Sequence, residues 1–149
     1  MKNQTIKRNE VKFSDSQILL STTDLKSNIT YANEDFCKIA GYSLDEMVGK
    51  PHNLVRHSDM PKLAFADLWQ HLKNGQSWMG PVKNSCKNGD YYWVNAFVTP
   101  IKDKSGRTVE FQSVRTKQSD DVVQRATAEY AKINKNLMLQ QLSSMPLCT

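Results

Sequence analysis

Cysteine is scarce in this sequence, and its spacing is uninformative. Three cysteines occur in 149 residues, at Cys37, Cys86 and Cys148. No pair has C-x-x-C spacing, which speaks against a thiolate zinc site and a thioredoxin-like redox motif. An odd count with no signal peptide points to a reducing cytoplasm. Long apolar runs are also lacking. None approaches the ~20 residues that a spanning helix requires, so no membrane-crossing helix is expected in this chain. No internal repeat or low-complexity stretch is present. The sequence has no P-loop, no G-x-G-x-x-G, no Ser-His-Asp ordering and no carboxylate pair with acid–base spacing, so an enzyme is not the expected reading.

What is present fits one ordinary globular domain: 39% hydrophobic and 23% charged residues, with enough length for a single core. The net charge is +5 and the pI about 9.1. A nucleic-acid binder gathers such charge on one face. Here Lys and Arg are scattered, with only a modest group at Lys2, Lys7, Arg8 and Lys12. Basic charge also suits an anionic cofactor when arginines converge in a pocket.

The local patterns give an element order. Residues 1–17 are polar and read as a flexible or loosely docked N-terminal arm. Ile18–Thr23 and Ile29–Ala32 read as strands around the turn at Asp24–Asn28. Asn33 has the chemistry of a helix N-cap, with Glu34 and Asp35 suited to the positive end of the helix dipole. Gly41 can end that helix. Ser43 and Glu46 match a capping box for a second short helix. His52–Asp59 is irregular. From Pro61 the spacing of Phe65, Leu68, Trp69 and Leu72 predicts a longer helix with one apolar face. Trp78–Cys86, Tyr91–Ile101 and Thr108–Thr116 read as a three-strand meander, with turns at Lys87–Asp90 and around Gly106. From about Ser119 the chain is helical and polar, and is expected to lead away from the domain. The plan is α+β: a five-stranded antiparallel sheet with short helices on one face.

Particular residues then carry a resemblance. Pro51–Pro61 reads P-H-N-L-V-R-H-S-D-M-P. It is followed by A-F-A-D-L-W at 64–69, K-N-G at 73–75, Trp78, V-K-N at 82–84 and K-N-G-D-Y-Y-W-V at 87–94. Over roughly residues 18–117 the chain resembles the PAS domain of Aer-type aerotaxis receptors. The Y-A-N and N-G-D-x-x-W patterns are generic to PAS domains, whereas R-H-x-D-M-P is much narrower. Between the N-terminal arm at 1–17 and the C-terminal helix or linker at 118–149, which the local patterns set off, the resemblance implies a PAS sensor domain at 18–117. It also implies non-covalent FAD, a cytoplasmic location, and redox, oxygen or energy-state signalling to a chemotaxis output through a downstream module, with a homodimer as a further expectation.

The candidate cofactor-binding residues are Asn33, Arg56, His57, Asp59, Trp69, Trp78, Asn84 and Tyr92. Arg56 can pair bidentately with phosphate beside a helix N-terminus, with His57 and Asp59 in the same motif. Asn84 alternates in register with Trp78, Gly80, Val82 and Cys86. A buried amide there needs partners, and the pyrimidine edge of an isoalloxazine supplies them. Light-sensing flavin PAS domains place an Asn at this position, and their second Asn falls at Val94 here. Trp69 and Trp78 could wall a ring system, and Tyr92 shares the core face with Val94, Ala96 and Val98. Trp93 and Phe97 then face outward and need covering. Arg115 stands where light sensors often carry a flavin-sensing Gln, and a surface position is the plainer expectation for it.

His52 occupies the place of the light sensors' reactive cysteine, so an adduct photocycle is rejected. Two alternatives remain. A haem-binding gas sensor would use His52, His57 or His71 as axial ligand. A cofactor-free dimerisation module would work through the Trp93 and Phe97 face.

Overall fold

A computed structural model describes residues 8–144. The strands are β1 (Leu19–Thr23), β2 (Ile29–Ala32), β3 (Trp78–Ser85), β4 (Tyr91–Lys102) and β5 (Thr108–Lys117). The helices are α1 (Glu34–Ala40), α2 (Leu44–Met47), α3 (Lys62–Lys73) and α4 (Asp120–Ser143), with a 3-10 turn at His52–Val55. The five strands form one antiparallel sheet in the order β2-β1-β5-β4-β3. The first and last segments of the sheet's sequence thus meet at its centre, where β1 lies against β5.

Local chemistry explains the short helices. Asn33 Oδ1 accepts the Phe36 N–H at 3.1 Å and starts α1. Gly41 closes α1 in the left-handed conformation at φ +80°, where a side chain would be strained. Ser43 and Glu46 bond reciprocally as a capping box around α2. Such caps satisfy the free amides of helices too short to stand on propensity alone.

The inner face of the sheet alternates as strands do. Leu19, Ser21, Tyr92, Val94 and Ala96 point under α1 and α2, against Phe36, Ala40 and Met47. Toward α3 this core opens. Phe65, Leu68 and Trp69 are only half-buried although they form the helix's apolar face.

Two expectations are corrected on the outer face. The N-terminal arm is tied down over residues 9–13: Val11 N–H donates to the Tyr91 carbonyl at 2.7 Å, Tyr91 N–H to the Asn9 carbonyl at 3.0 Å, and Phe13 is buried. Residues 1–7 of the expected arm and 145–149 of the expected linker, including Cys148, lie outside the described residues. The C-terminal helix does not leave the domain. It crosses the sheet, with Ala126 buried and Tyr130 stacked on Trp93 at 6.3 Å between ring centroids. The Tyr130 hydroxyl donates to the Pro81 carbonyl at 2.7 Å, and Asn134 Nδ2 to the Asp59 carbonyl at 2.9 Å. The loose apolar stripe of α4 suffices because Trp93 supplies a large aromatic surface to cover. Phe97 and its cross-strand neighbour Met79 stay exposed.

Candidate functional site

Between α3 and the inner face of the sheet lies a cavity of about 270 Å³. Its walls come from the half-buried face of α3, from β3, β4 and β5, from the end of β1 and the turn to β2, and from the segment between α2 and α3. Phe65, Leu68, Trp69 and Leu72 form one side. Val82, Ala96, Val98 and Phe111 form the sheet side. Trp69 and Phe111 meet edge to face, with centroids 5.5 Å apart. The polar groups are Thr23, Ser27, Asn53, Asn84 and Ser113, with Lys26, His52, Arg56 and Arg115. Three lining residues are cations and none is a carboxylate.

Three of the eight sequence-predicted residues are brought together here: Arg56, Trp69 and Asn84. Asn84 is 4% exposed, with its amide on the cavity wall and its side chain next to the Tyr92 hydroxyl, an interaction that lowers the Tyr92 phenol pKa against the larger effect of burial. A buried amide of this kind is stabilised by any ligand that bonds it from the cavity side. Arg56 packs its guanidinium over the Phe65 ring at 3.8 Å and has no carboxylate partner among the described residues. Its backbone bridges to Asn84 beyond the edge of β3, so these two residues are fixed relative to each other.

The other five stand elsewhere, each for a visible reason. Asn33 is fully employed: Oδ1 also accepts the Leu20 N–H at 3.1 Å, and Nδ2 donates to the Ile18 carbonyl at 2.8 Å. His57 is buried away from the cavity, accepting the Asp59 N–H on Nδ1 at 2.9 Å and meeting the Tyr91 ring edge-on. Burial, and then the Lys83 charge, hold its pKa below the usual imidazole value. Asp59 faces solvent and pairs with Lys83 Nζ at 2.7 Å. That bond chiefly lowers its carboxyl pKa. Trp78 donates from Nε1 to Asp67 Oδ2 at 2.9 Å, tying β3 to α3, and its ring lies over Gly80. Tyr92 is fully buried beside the cavity, outside its lining, and its hydroxyl has no hydrogen-bond partner among the described residues. Burial pushes its phenol pKa up. The R-H-S-D-M-P motif therefore straddles the sheet edge, with Arg56 toward the cavity and Asp59 toward α4.

Sequence reasoning assigned too little to two residues. Arg115 is buried rather than a surface strand residue, at 3% exposure. Its NH1 donates to Ser21 Oγ at 3.1 Å and to the Leu19 carbonyl at 3.4 Å. Its NH2 donates to Ser21 Oγ at 3.1 Å and to His52 Nε2 at 2.6 Å. A nitrogen that close to a guanidinium donor must be the bare one, so His52 is neutral with its proton on Nδ1. Burial and then the Arg115 charge push the His52 pKa down to about 3. Burial lowers that of Arg115 to about 10. The signal available in the sequence was alternation: Phe111, Ser113 and Arg115 share one face of β5. Phe65 was assigned to the apolar face of α3 but not to a ligand wall.

The PAS-fold family profile matches residues 29–115. The chain is 47% identical over 121 residues to the aerotaxis receptor of Escherichia coli (strain K12), covering 81% of this chain and 24% of the receptor. It is 30% identical over 131 residues to the nitrogen fixation regulatory protein of Klebsiella pneumoniae, covering 88% of this chain and 26% of the regulator. The chain thus spans about a quarter of the length of these two relatives. Among solved structures, the light state of the blue-light photoreceptor Aureochrome1 LOV superposes with a TM-score of 0.69. It covers 76% of this chain and 91% of the LOV chain at 24% identity, a likeness of fold. This chain belongs to the PAS-fold family, and its PAS domain is of the aerotaxis-receptor type. No described helix is long and apolar enough to cross a membrane.

Proposed function

We propose that this chain is a PAS sensor that holds a flavin, FAD by preference, and reports its redox state to an aerotaxis-type output. The observation that carries the reading is Asn84, a buried amide on the wall of a cavity whose other lining groups are aromatic, aliphatic, neutral polar and cationic, with no carboxylate. An isoalloxazine offers the complement: a planar apolar body and a pyrimidine edge with donors and acceptors. The cations Lys26 and Arg56 suit the diphosphate of a dinucleotide. The cavity volume of about 270 Å³, near the lower end of ~300–1,000 Å³ for small-molecule pockets, would suit the ring system.

Bound flavin would supply reversible electron uptake at its ring. The chain's residues bind, orient and transmit. Asn84 would bond the ring edge, and Trp69 with Phe111 would pack its face. Arg56 joins the ring site to the edge of the sheet through its bridge to Asn84. Three residues further on, Asp59 is held by Lys83 and by Asn134 of α4. A change at Asn84 therefore has a short route to the docking of α4, through the bridge to Arg56, the chain from Arg56 to Asp59 and the Asn134 hydrogen bond. A ligand state moves that docking only by its different affinity for the two arrangements.

The same reading places the sensor at 18–117 with α4 as its connection to a downstream signalling domain, in the cytoplasm, as a non-catalytic module that signals by binding and packing. A homodimer would use the exposed Phe97 and Met79 face. Haem has less support. Of the histidines, His52 alone lines the cavity, and its Nε2 faces Arg115 rather than open space.

The test is a calorimetric titration of the ligand-free protein with FAD, FMN and haemin separately. Tight one-to-one uptake of FAD, weaker uptake of FMN and none of haemin is the expected pattern. No uptake of either flavin would refute the reading.

A further inference from the structure

We propose that Arg115 is the residue through which the cavity reads the charge of its ligand, preferring a ring that has gained negative charge over the same ring when neutral. This rests on the flavin reading and adds to it a residue that sets which redox state is favoured.

The argument begins with an imbalance. Arg115 is almost wholly enclosed, yet every group that it touches is neutral: the Ser21 hydroxyl, the Leu19 carbonyl and the bare nitrogen of His52. No carboxylate lines the cavity. A buried charge without a counter-charge carries a desolvation penalty that neutral hydrogen bonds offset only in part. His52 cannot share the charge, since it must stay unprotonated to accept from Arg115. The guanidinium is also held from behind, 4.7 Å above the Phe36 ring, so it is fixed in place rather than free to reach solvent. A fixed, poorly compensated cation beside a ligand cavity attracts whichever ligand state brings an anion to it. Low local dielectric makes that attraction larger than it would be in water.

For a flavin, the anionic state is reached when the ring accepts an electron from a low-potential reductant, dithionite in the test below. The added negative charge is then balanced by Arg115 in place of an added proton. Preference for the reduced ring over the oxidised ring is a higher reduction potential. Arg115 is a positioning and tuning residue in this scheme, with no bond made or broken at its side chain.

The experiment compares wild type, Arg115→Gln and Arg115→Lys in two measurements. With flavin bound, spectroelectrochemical titration is expected to show a lower potential in Arg115→Gln. Loss of at least tenfold in the preference for the reduced ring corresponds to about 59 mV for a one-electron couple. Arg115→Lys should recover most of it, and the affinity for oxidised flavin should change less than threefold. Without ligand, Arg115→Gln should melt at the wild-type temperature or above, because an uncompensated charge has been removed. A merely structural arginine gives the opposite pattern: a lower melting temperature and an unchanged potential, which overturns the inference. Wild type that takes up no flavin overturns the flavin reading and this inference with it. Flavin-loaded wild type whose potential is indifferent to position 115 overturns this inference alone.

Discussion

Replacing Tyr130 with alanine should release α4 from the sheet while leaving the sheet itself folded. Two contacts set the size of the effect. The hydroxyl's bond to the Pro81 carbonyl at 2.7 Å has a net worth of about 1 kcal/mol. The parallel stack on Trp93, at 17° between ring planes, adds about 1 kcal/mol beyond area burial. Their sum, about 2 kcal/mol before the ring's own lost burial is added, shifts the docked-to-undocked ratio by at least about 30-fold. Tyr130→Phe removes only the first and should shift it about fivefold. Hydrogen exchange reads this directly. Amides of α4 between residues 123 and 137 should lose protection in the order wild type, Phe, Ala, while β4 and β5 keep theirs. Trp93 fluorescence should report added solvent contact. If α4 protection is the same in all three proteins, the docking is not held by Tyr130 and the account of the outer face is wrong. If β4 and β5 lose protection as well, α4 is part of the global folding unit rather than a separable element.

Three further outcomes follow from the geometry. Asn84→Ala should weaken flavin binding by about 2 kcal/mol, from two lost hydrogen bonds, and lower the ligand-free melting temperature only slightly, because its amide faces the cavity and loses only its neighbour contact with Tyr92. A large drop in that temperature would make Asn84 a structural amide. Gly80→Ala should destabilise by about 1–3 kcal/mol, since its added carbon would meet the Trp78 ring at 2.7 Å. An unchanged denaturation midpoint would refute the packing described there. Below pH 6.5 the unfolded chain protonates His52 while the folded one, with the pKa held to about 3, does not. Stability should therefore fall as pH drops from 6.5, by at most about 1.4 kcal/mol per pH unit from this group. His57, lowered in the same direction, adds to the slope. His52→Gln should flatten the slope between pH 6.5 and 5 in chemical denaturation, and a slope identical to wild type would contradict the buried neutral imidazole.

Local rules made much of the fold legible in the sequence. The caps at Asn33 and Ser43, the Asn88-Gly89 turn and the alternation of β3 act over a few residues, so spacing alone identifies them. The site was legible where periodicity ran unbroken, at Trp69 on α3 and Asn84 on β3. Motif adjacency misled where the chain crossed an edge. His57 and Asp59 follow Arg56 directly, yet the bridge to Asn84 turns the backbone there and sends them to the other side. Asn33 was consumed by three hydrogen bonds, to Leu20, Phe36 and Ile18, and the Trp78 indole N–H by one to Asp67; bonds of that kind have no signature in residue type. The docking of α4 depends on Trp93 and Pro81, far away in sequence, and a polar helix gives little hint of such a partner. Arg115 looked like a surface residue because arginine is rarely buried without an acid. Its burial is the departure from local rules that most directly suggests function.

The most direct test of the flavin reading is the visible absorption spectrum of the purified protein, with its heat-released cofactor identified by chromatography. Flavin bands with FAD in the released fraction are the predicted result. A colourless protein that stays colourless after incubation with FAD would contradict it.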